Sequence, residues 1–275
     1  MQEKQILILI SIWLVLQHAW AFSFKYRGNC VNGVKRRSLC IESSSSVTGI
    51  DVKSSKLKVL CLHGFDSSSR MFELQLSALQ SATSDFAEFM FIDGAHCLKT
   101  LRKKKSQKYA WWAAMPTETG EVEYRGMQQS IDALLETSRA FGPFHVILGH
   151  SQGAALIAAA NLHTNSGSGS DEPPILSPKL VILLAGFLPQ DRYTANLAEA
   201  EREQKSISQT QKSLHVYGTN DAVLPVEGVK QIASLYTEPK YFAHTGGHDP
   251  PRDEGTVGWI AENMRDVYND EFGNK

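Results

Sequence analysis

The sequence predicts an α/β protein: one domain built on a doubly wound, mostly parallel sheet of about six strands. Three observations predict it. Short apolar runs alternate with segments of helical spacing from Lys56 to the end of the chain. Several of those runs stop at His, Gly or Asp, as buried parallel strands do where they open onto a site. The chain has 275 residues, a length that allows one large domain or two small ones, and no visible internal repeat; the roughly 220 residues from Lys56 onward suit one such core and are too few for a second domain.

Leu57 to Leu62 (LKVLCL) is an apolar run ending at His63-Gly64 and reads as the first strand. Met71 to Leu79 has helical spacing through Met71, Phe72, Leu74, Leu76 and Leu79. Phe86 to Ile92 is the second strand and ends at Asp93. Gly94 to about Glu123 shows no period and reads as irregular. Tyr124 to Phe141 is an amphipathic helix stopped by Gly142-Pro143, and Phe144 to Leu148 is the third strand. Gln152 to Leu162 (QGAALIAAANL) is a helix of small residues, able to lie close on a sheet. Asn165 to Ser177 is a loop by composition. Leu180 to Leu184, Leu214 to Tyr217 and Lys240 to Ala243 are strands four to six. Val226 to Tyr236 and Asp253 to about Val267 are the remaining helices.

The N-terminal region has a different character. Ile6 to Leu16 (ILILISIWLVL) is too short for a membrane-spanning helix, which takes about 20 residues. With Lys4 before it and Ala19-Trp20-Ala21 after it, the run fits a signal peptide over residues 1–21. An uncleaved anchor is the alternative. Residues 22–50 carry Lys25, Arg27, Lys35, Arg36 and Arg37 against Glu42 alone, and run into Ser43-Ser44-Ser45-Ser46. That composition suits a transit peptide, the alternative being a disordered linker. The tandem resembles the bipartite presequences of algae with secondary plastids. It predicts entry into the secretory pathway and delivery to a plastid, with the medium or endomembrane lumen as the alternative. A fluorescent fusion of residues 1–50 should accumulate in the plastid; filling of the endomembrane system would reject the expectation.

Charge and cysteine content exclude several classes. The net charge is −1, with 28 Lys+Arg and 29 Asp+Glu. Residues 1–50 hold six of those bases and two of those acids, so the remainder carries 22 against 27. A mildly acidic domain is a poor general nucleic-acid binder. Lys99, Arg102, Lys103, Lys104, Lys105 and Lys108 do cluster, and read as a solvated loop. The four Cys form no metal-ligand spacing and are too sparse for a disulfide scaffold. Cys61 falls in a core strand, and nothing near Cys97 marks a catalytic thiol. No cofactor, metal or membrane span is expected of the mature domain, and oligomeric state is not legible.

The chemistry lies at strand ends. Gly149-His150-Ser151-Gln152-Gly153 is G-x-S-x-G placed between a strand and a helix. A nucleophile on so sharp a turn needs glycine on both sides, and the helix N-terminus behind it favours developing negative charge. A serine hydroxyl needs a base to remove its proton. In the order nucleophile, acid, base, Asp221 follows strand five and His248 follows strand six. His244 is a rival base, and Asp191 after strand four is a rival acid. Asp249 sits too close to His248 in the chain for its carboxylate to turn back onto the imidazole. The N–H groups of Gln152 and of Phe65, just after His63-Gly64, are the expected oxyanion donors. His63 reads as a residue that shapes that loop. Trp111, Trp112 and His150 are candidates for substrate contact.

With these pieces placed, the chain resembles the "family of serine hydrolases" group of α/β-hydrolases, which includes fungal serine hydrolases and the ovarian-cancer-associated esterase. The segments that carry the resemblance are VLCLHGFDSS from Val59, FIDGAH from Phe91, YAWW from Tyr109, GHSQGAALIAA from Gly149, LLAGFLP from Leu183, HVYGTNDAVLP from His215 and HTGGHDPP from His244. They recur in the family's order. The resemblance implies an α/β-hydrolase fold over about residues 56–270, without metal or organic cofactor. It implies a serine carboxylesterase for small-molecule, possible fatty-acyl, esters, with Ser151 as nucleophile, Asp221 as acid and His248 as base. His150 stands where the family more often has an aromatic residue, and Gly94 where it usually has Ala. A thioesterase or peptidase would use the same triad, and a non-catalytic ligand-binding protein could share the fold.

Overall fold

β1 (Leu57–Leu62) is apolar at nearly every position because both faces of its sheet are covered. The structure, a computed structural model of the chain, describes residues 56–98, 107–116, 122–166, 176–189, 196 and 211–273. After β1 come α1 (Ser69–Gln75), α2 (Ser77–Ala82), β2 (Ala87–Ile92), β3 (His96–Leu98), β4 (Lys108–Ala110), β5 (Ala113–Pro116), β6 (Val122–Arg125) and α3 (Met127–Phe141). The chain continues through β7 (Val146–His150), α4 (Gln152–Ser166), β8 (Leu180–Leu184), β9 (Lys212–Gly218), α5 (Val226–Ala233), β10 (Pro239–His244) and α6 (Glu254–Phe272).

Six strands form the main sheet in the order β2-β1-β7-β8-β9-β10, and all neighbours are parallel. Alternate residues of β1 enter opposite cores. Leu60 and Leu62 pack with Ile131 and Leu134 of α3, Leu156 of α4 and Ile232 of α5. Leu57, Val59 and Cys61 pack with Phe72 of α1, Leu79 of α2 and Ile260 and Met264 of α6. Each such fully buried aliphatic or aromatic side chain contributes about 1.5–3 kcal/mol. The sheet therefore has helices on both faces, as the strand–helix alternation predicts.

From β1 the chain winds outward to β2, then returns across β1 to β7. β1 and β7 are adjacent, so the strand order reverses between them. Loops after neighbouring strands diverge at such a switch point and leave a crevice. That crevice holds the site.

Apart from shifts at the ends of elements, among them α4 running on to Ser166 and α5 stopping at Ala233, the structure differs from the sequence reading in three places. The helix expected over Met71 to Leu79 is two helices, broken at Leu76, whose ψ of 12° leaves the helical region. Phe72, Leu76 and Leu79 all bury in one core, so their spacing cannot show the break. The stretch read as irregular contains two antiparallel ribbons, β3 with β4 and β5 with β6. Strands of three or four residues carry too few alternations to be recognised. Tyr124 and Arg125 belong to β6, opposite Ala114 and Ala113, so α3 begins at Met127.

The presequence expected at residues 1–50, Asp191, and Lys99 with Arg102 to Lys105 lie outside the described residues. Lys108 is described and pairs with Asp66. Among the described residues no helix is long and apolar enough to cross a membrane, and no three His, Cys, Asp or Glu side chains cluster as metal ligands.

Candidate active site

β7 ends on Gly149 and His150, and α4 begins at Gln152, leaving Ser151 alone to turn the chain. Its φ is +50°, a left-handed conformation that costs a non-glycine residue about 1–3 kcal/mol. Its N–H donates to Leu184 O at 2.9 Å, and its carbonyl accepts from Ala155 N at 3.0 Å, which hold the turn. The flanking glycines are required by contact. A Cβ on Gly149 would stand 2.6 Å from Ala154 N, and one on Gly153 would stand 2.4 Å from Leu62 O.

Three strand-end loops then meet. The turn after β9 carries Asp221, whose Oδ1 accepts from the N–H groups of Val223 and Leu224, both at 2.8 Å. Asp221 Oδ2 accepts from His248 Nδ1 at 2.7 Å. With its proton on Nδ1, His248 presents Nε2 as an acceptor, and Ser151 Oγ lies 2.9 Å from it. The Asp221 side chain is only 3% exposed, against 22% for His248. Burial pushes the Asp221 carboxyl up, but the bonds from His248 and from the Leu224 and Val223 N–H groups outweigh it and hold the group below its ordinary value. A buried carboxylate thus fixes the imidazole in one tautomer and can stabilise its protonated form.

The rival base His244 ends β10, where its Nδ1 accepts from Gly246 N at 3.1 Å. Asp249 lines the cavity mouth, while the carboxylate on the imidazole is that of Asp221.

The expected oxyanion loop follows β1. His63 is fully buried; its Nε2 accepts from Gly94 N at 2.9 Å, so its proton sits on Nδ1 and is donated to Gly64 O at 2.6 Å. Burial is the main cause that holds this imidazole below the usual histidine range. In a trans peptide the carbonyl and the next N–H point oppositely. Anchoring Gly64 O to His63 therefore turns the Phe65 N–H away from His63, and Phe65 itself lines the cavity. The first N–H groups of α4 have no intrahelical partners, as at any helix start, and Gln152 lines the cavity.

A cavity of about 420 Å³ opens over Ser151. Trp112 and His150, both candidates for substrate contact, line it. Trp111 does not. It is 1% exposed, and its indole N–H donates to His63 O at 2.7 Å, so its role in substrate contact is corrected to one within the protein. His150 lies beside the His248 ring, at 5.2 Å between centroids, and stacks with Phe72. Its Nε2 donates to His248 O at 2.8 Å. Burial foremost, and the neighbouring His248, push its pKa down to about 3, so it is a neutral packing and anchoring group at neutral pH.

Sequence reasoning missed Met71, Tyr124, Phe187 and Val223 among the lining residues. Met71 and Val223 are large apolar side chains that stay 41% and 45% exposed, a signal visible only once burial is known.

A hydrogen-bonded Ser–His–Asp set, carried on the loops of a doubly wound parallel sheet with the serine on a strand-to-helix turn, defines the α/β-hydrolase class. Within that class the chain belongs to the serine hydrolase (FSH1) family, whose model matches residues 52–259. It is 30% identical to Esterase OVCA2 of Bos taurus over 216 residues, spanning 71% of this chain and 89% of that protein. It is 28% identical to Esterase CG5412 of Drosophila melanogaster over 202 residues, 70% of this chain and 68% of that one. Among solved structures it resembles Zea mays acyl-protein thioesterase 2, with a TM-score of 0.58 and 17% identity over 78% of this chain and 94% of that chain. The Bacillus cereus carboxylesterase aligns with a TM-score of 0.51 at 16% identity, over 78% and 90%. At these identities the two structures speak for the fold.

Proposed function

We propose that this serine hydrolase cleaves carboxylic esters through an acyl-enzyme. The observation that carries the reading is the unbroken chain from Ser151 Oγ, in the lining of a cavity, through His248 to the buried Asp221 carboxylate. Ser151 attacks the ester carbonyl while His248 Nε2 takes its proton, and the imidazolium then protonates the departing alcohol. Water enters, gives its proton to His248, and attacks the acyl-enzyme; the acid leaves as Ser151 recovers its proton. The N–H groups of Phe65 and Gln152 hold the oxyanion, each contributing about 2.7–4 kcal/mol to the transition state. The family membership and the relatives named as esterases support the reaction class.

The cavity wall supports an apolar acyl or alkoxy group, since Phe65, Met71, Trp112, Tyr124, Phe187 and Val223 face it. A series of nitrophenyl esters of increasing acyl length, with matched thioesters, tests both statements. Ester turnover that rises with chain length before falling is the expected result. Inert esters with a folded protein would overturn the reading in favour of a binding protein, and a strong preference for thioesters would reassign the leaving group.

The presequence reading also stands as a proposal: residues 1–50 direct the enzyme to a plastid, supported by their basic, serine-rich composition.

A further inference from the structure

Gln152 has a backbone role in the proposed oxyanion hole, but its side chain has an unexplained one. It is 5% exposed and does not end in the solvent of the cavity. Its Oε1 accepts from the Trp111 N–H at 2.9 Å, and its Nε2 donates to Trp112 O at 3.0 Å. Only one orientation of the amide satisfies both. The side chain therefore pairs with the β4–β5 connection as a neighbouring strand would. Trp111 is held further: its carbonyl accepts from Ser130 Oγ on α3, and its indole N–H donates to His63 O at 2.7 Å.

These bonds join the two halves of the oxyanion hole through one buried residue pair. His63 is two residues before Phe65, whose loop comes from β1; Gln152 begins α4, after β7. The same ribbon makes two further contacts to the loop: Tyr109 N donates to Ser67 O at 2.7 Å, and Lys108 pairs with Asp66. Asp66 itself has a φ of +54°, so the loop carries strain that these contacts hold in place.

We propose that the Gln152 side-chain amide and Trp111 form a latch that sets the spacing of the Phe65 and Gln152 N–H groups. Gln152 thus donates to the oxyanion with its backbone and positions the hole with its side chain. Trp111 is a positioning residue that touches no substrate. The latch matters in the transition state, when the carbonyl oxygen becomes an anion and needs both donors at short range. It contributes little to the bound ester. The inference rests on the esterase reading.

Gln152→Met keeps length and the backbone N–H but removes both side-chain bonds. We expect kcat to fall about 10²-fold, the loss typical of a misplacement near 1 Å, with KM little changed. Inhibition by a boronic acid, whose tetrahedral adduct puts an oxygen in the hole, should weaken in parallel. Gln152→Glu adds a readout that packing alone would not move. Its carboxylate repels Trp112 O, whereas the protonated acid accepts from Trp111 N–H and donates to Trp112 O as the amide does. The ratio of its kcat to that of the wild type should therefore rise as pH falls. A folded Gln152→Met protein with wild-type kcat would overturn the latch, as would a kcat ratio for Gln152→Glu that stays far below one without changing with pH. Should Gln152→Met fail to fold, the Gln152→Glu ratio decides by itself. A wild type that hydrolyses no ester would instead overturn the proposed function, so the two failures are distinguishable.

Discussion

Ser151→Ala is expected to lower ester turnover about 10⁶-fold and to abolish labelling by a fluorophosphonate probe, with the fold unchanged. The magnitude is that of removing the nucleophile from a triad acting as a unit. In the proposed reaction the hydroxyl oxygen of Ser151 bonds to the acyl carbon; Ser67 also lines the space, but the imidazole nitrogen is 2.9 Å from Ser151 Oγ. His248→Ala should cost about as much, and the double variant scarcely more, because each residue is idle without the other. Thermal unfolding of Ser151→Ala checks the fold, and Ala at a φ of +50° remains strained, so no stabilisation is expected. Undiminished labelling of the Ala variant would mean that another residue carries the nucleophile.

Asp221→Asn is expected to lower kcat about 10⁴-fold. The substitution keeps the shape of the side chain and removes its charge. An amide that keeps its oxygen on the Val223 and Leu224 N–H groups must present its NH2 to His248 Nδ1. That nitrogen then has to accept, the imidazole proton moves to Nε2, and Nε2 can no longer take the proton of Ser151. Turnover should recover partly at high pH, where loss of the seryl proton is easier. Substrate binding, read as KM, should change much less than kcat. Near-normal turnover would transfer the acid role to Asp191, which follows β8 in the chain.

The elements that were legible in the sequence are those with enough residues to show a period. β1 and β8 have the bounds expected of Leu57 to Leu62 and Leu180 to Leu184. Long helices such as α3 and α6 are also readable, although their ends shift by a few residues. The ribbons β3–β4 and β5–β6 were not, because strands of three or four residues show too little alternation. The position of Ser151 was readable because its turn constrains the residue types beside it. Trp111 was misassigned as a substrate contact for a related reason: two adjacent tryptophans look alike in sequence, and only their surroundings separate the cavity wall, Trp112, from the buried donor, Trp111.

The sequence by itself determined the alternating strands and helices, the turn at Ser151, and the order in which Ser151, Asp221 and His248 leave their strands. Those follow from local rules: side-chain period, glycine where a Cβ would clash, and the handedness of parallel crossovers. The tertiary structure decided which carboxylate and which imidazole meet, how His63 turns the Gly64–Phe65 peptide, and that the Gln152 amide pairs with Trp111 and Trp112. Each is a hydrogen bond between groups 27 to 97 residues apart, or a peptide orientation set by one, apart from the His63–Gly64 bond, which is local in sequence. Partners at such separation are chosen by how the sheet packs and where its strand order reverses, and no local pattern records that choice.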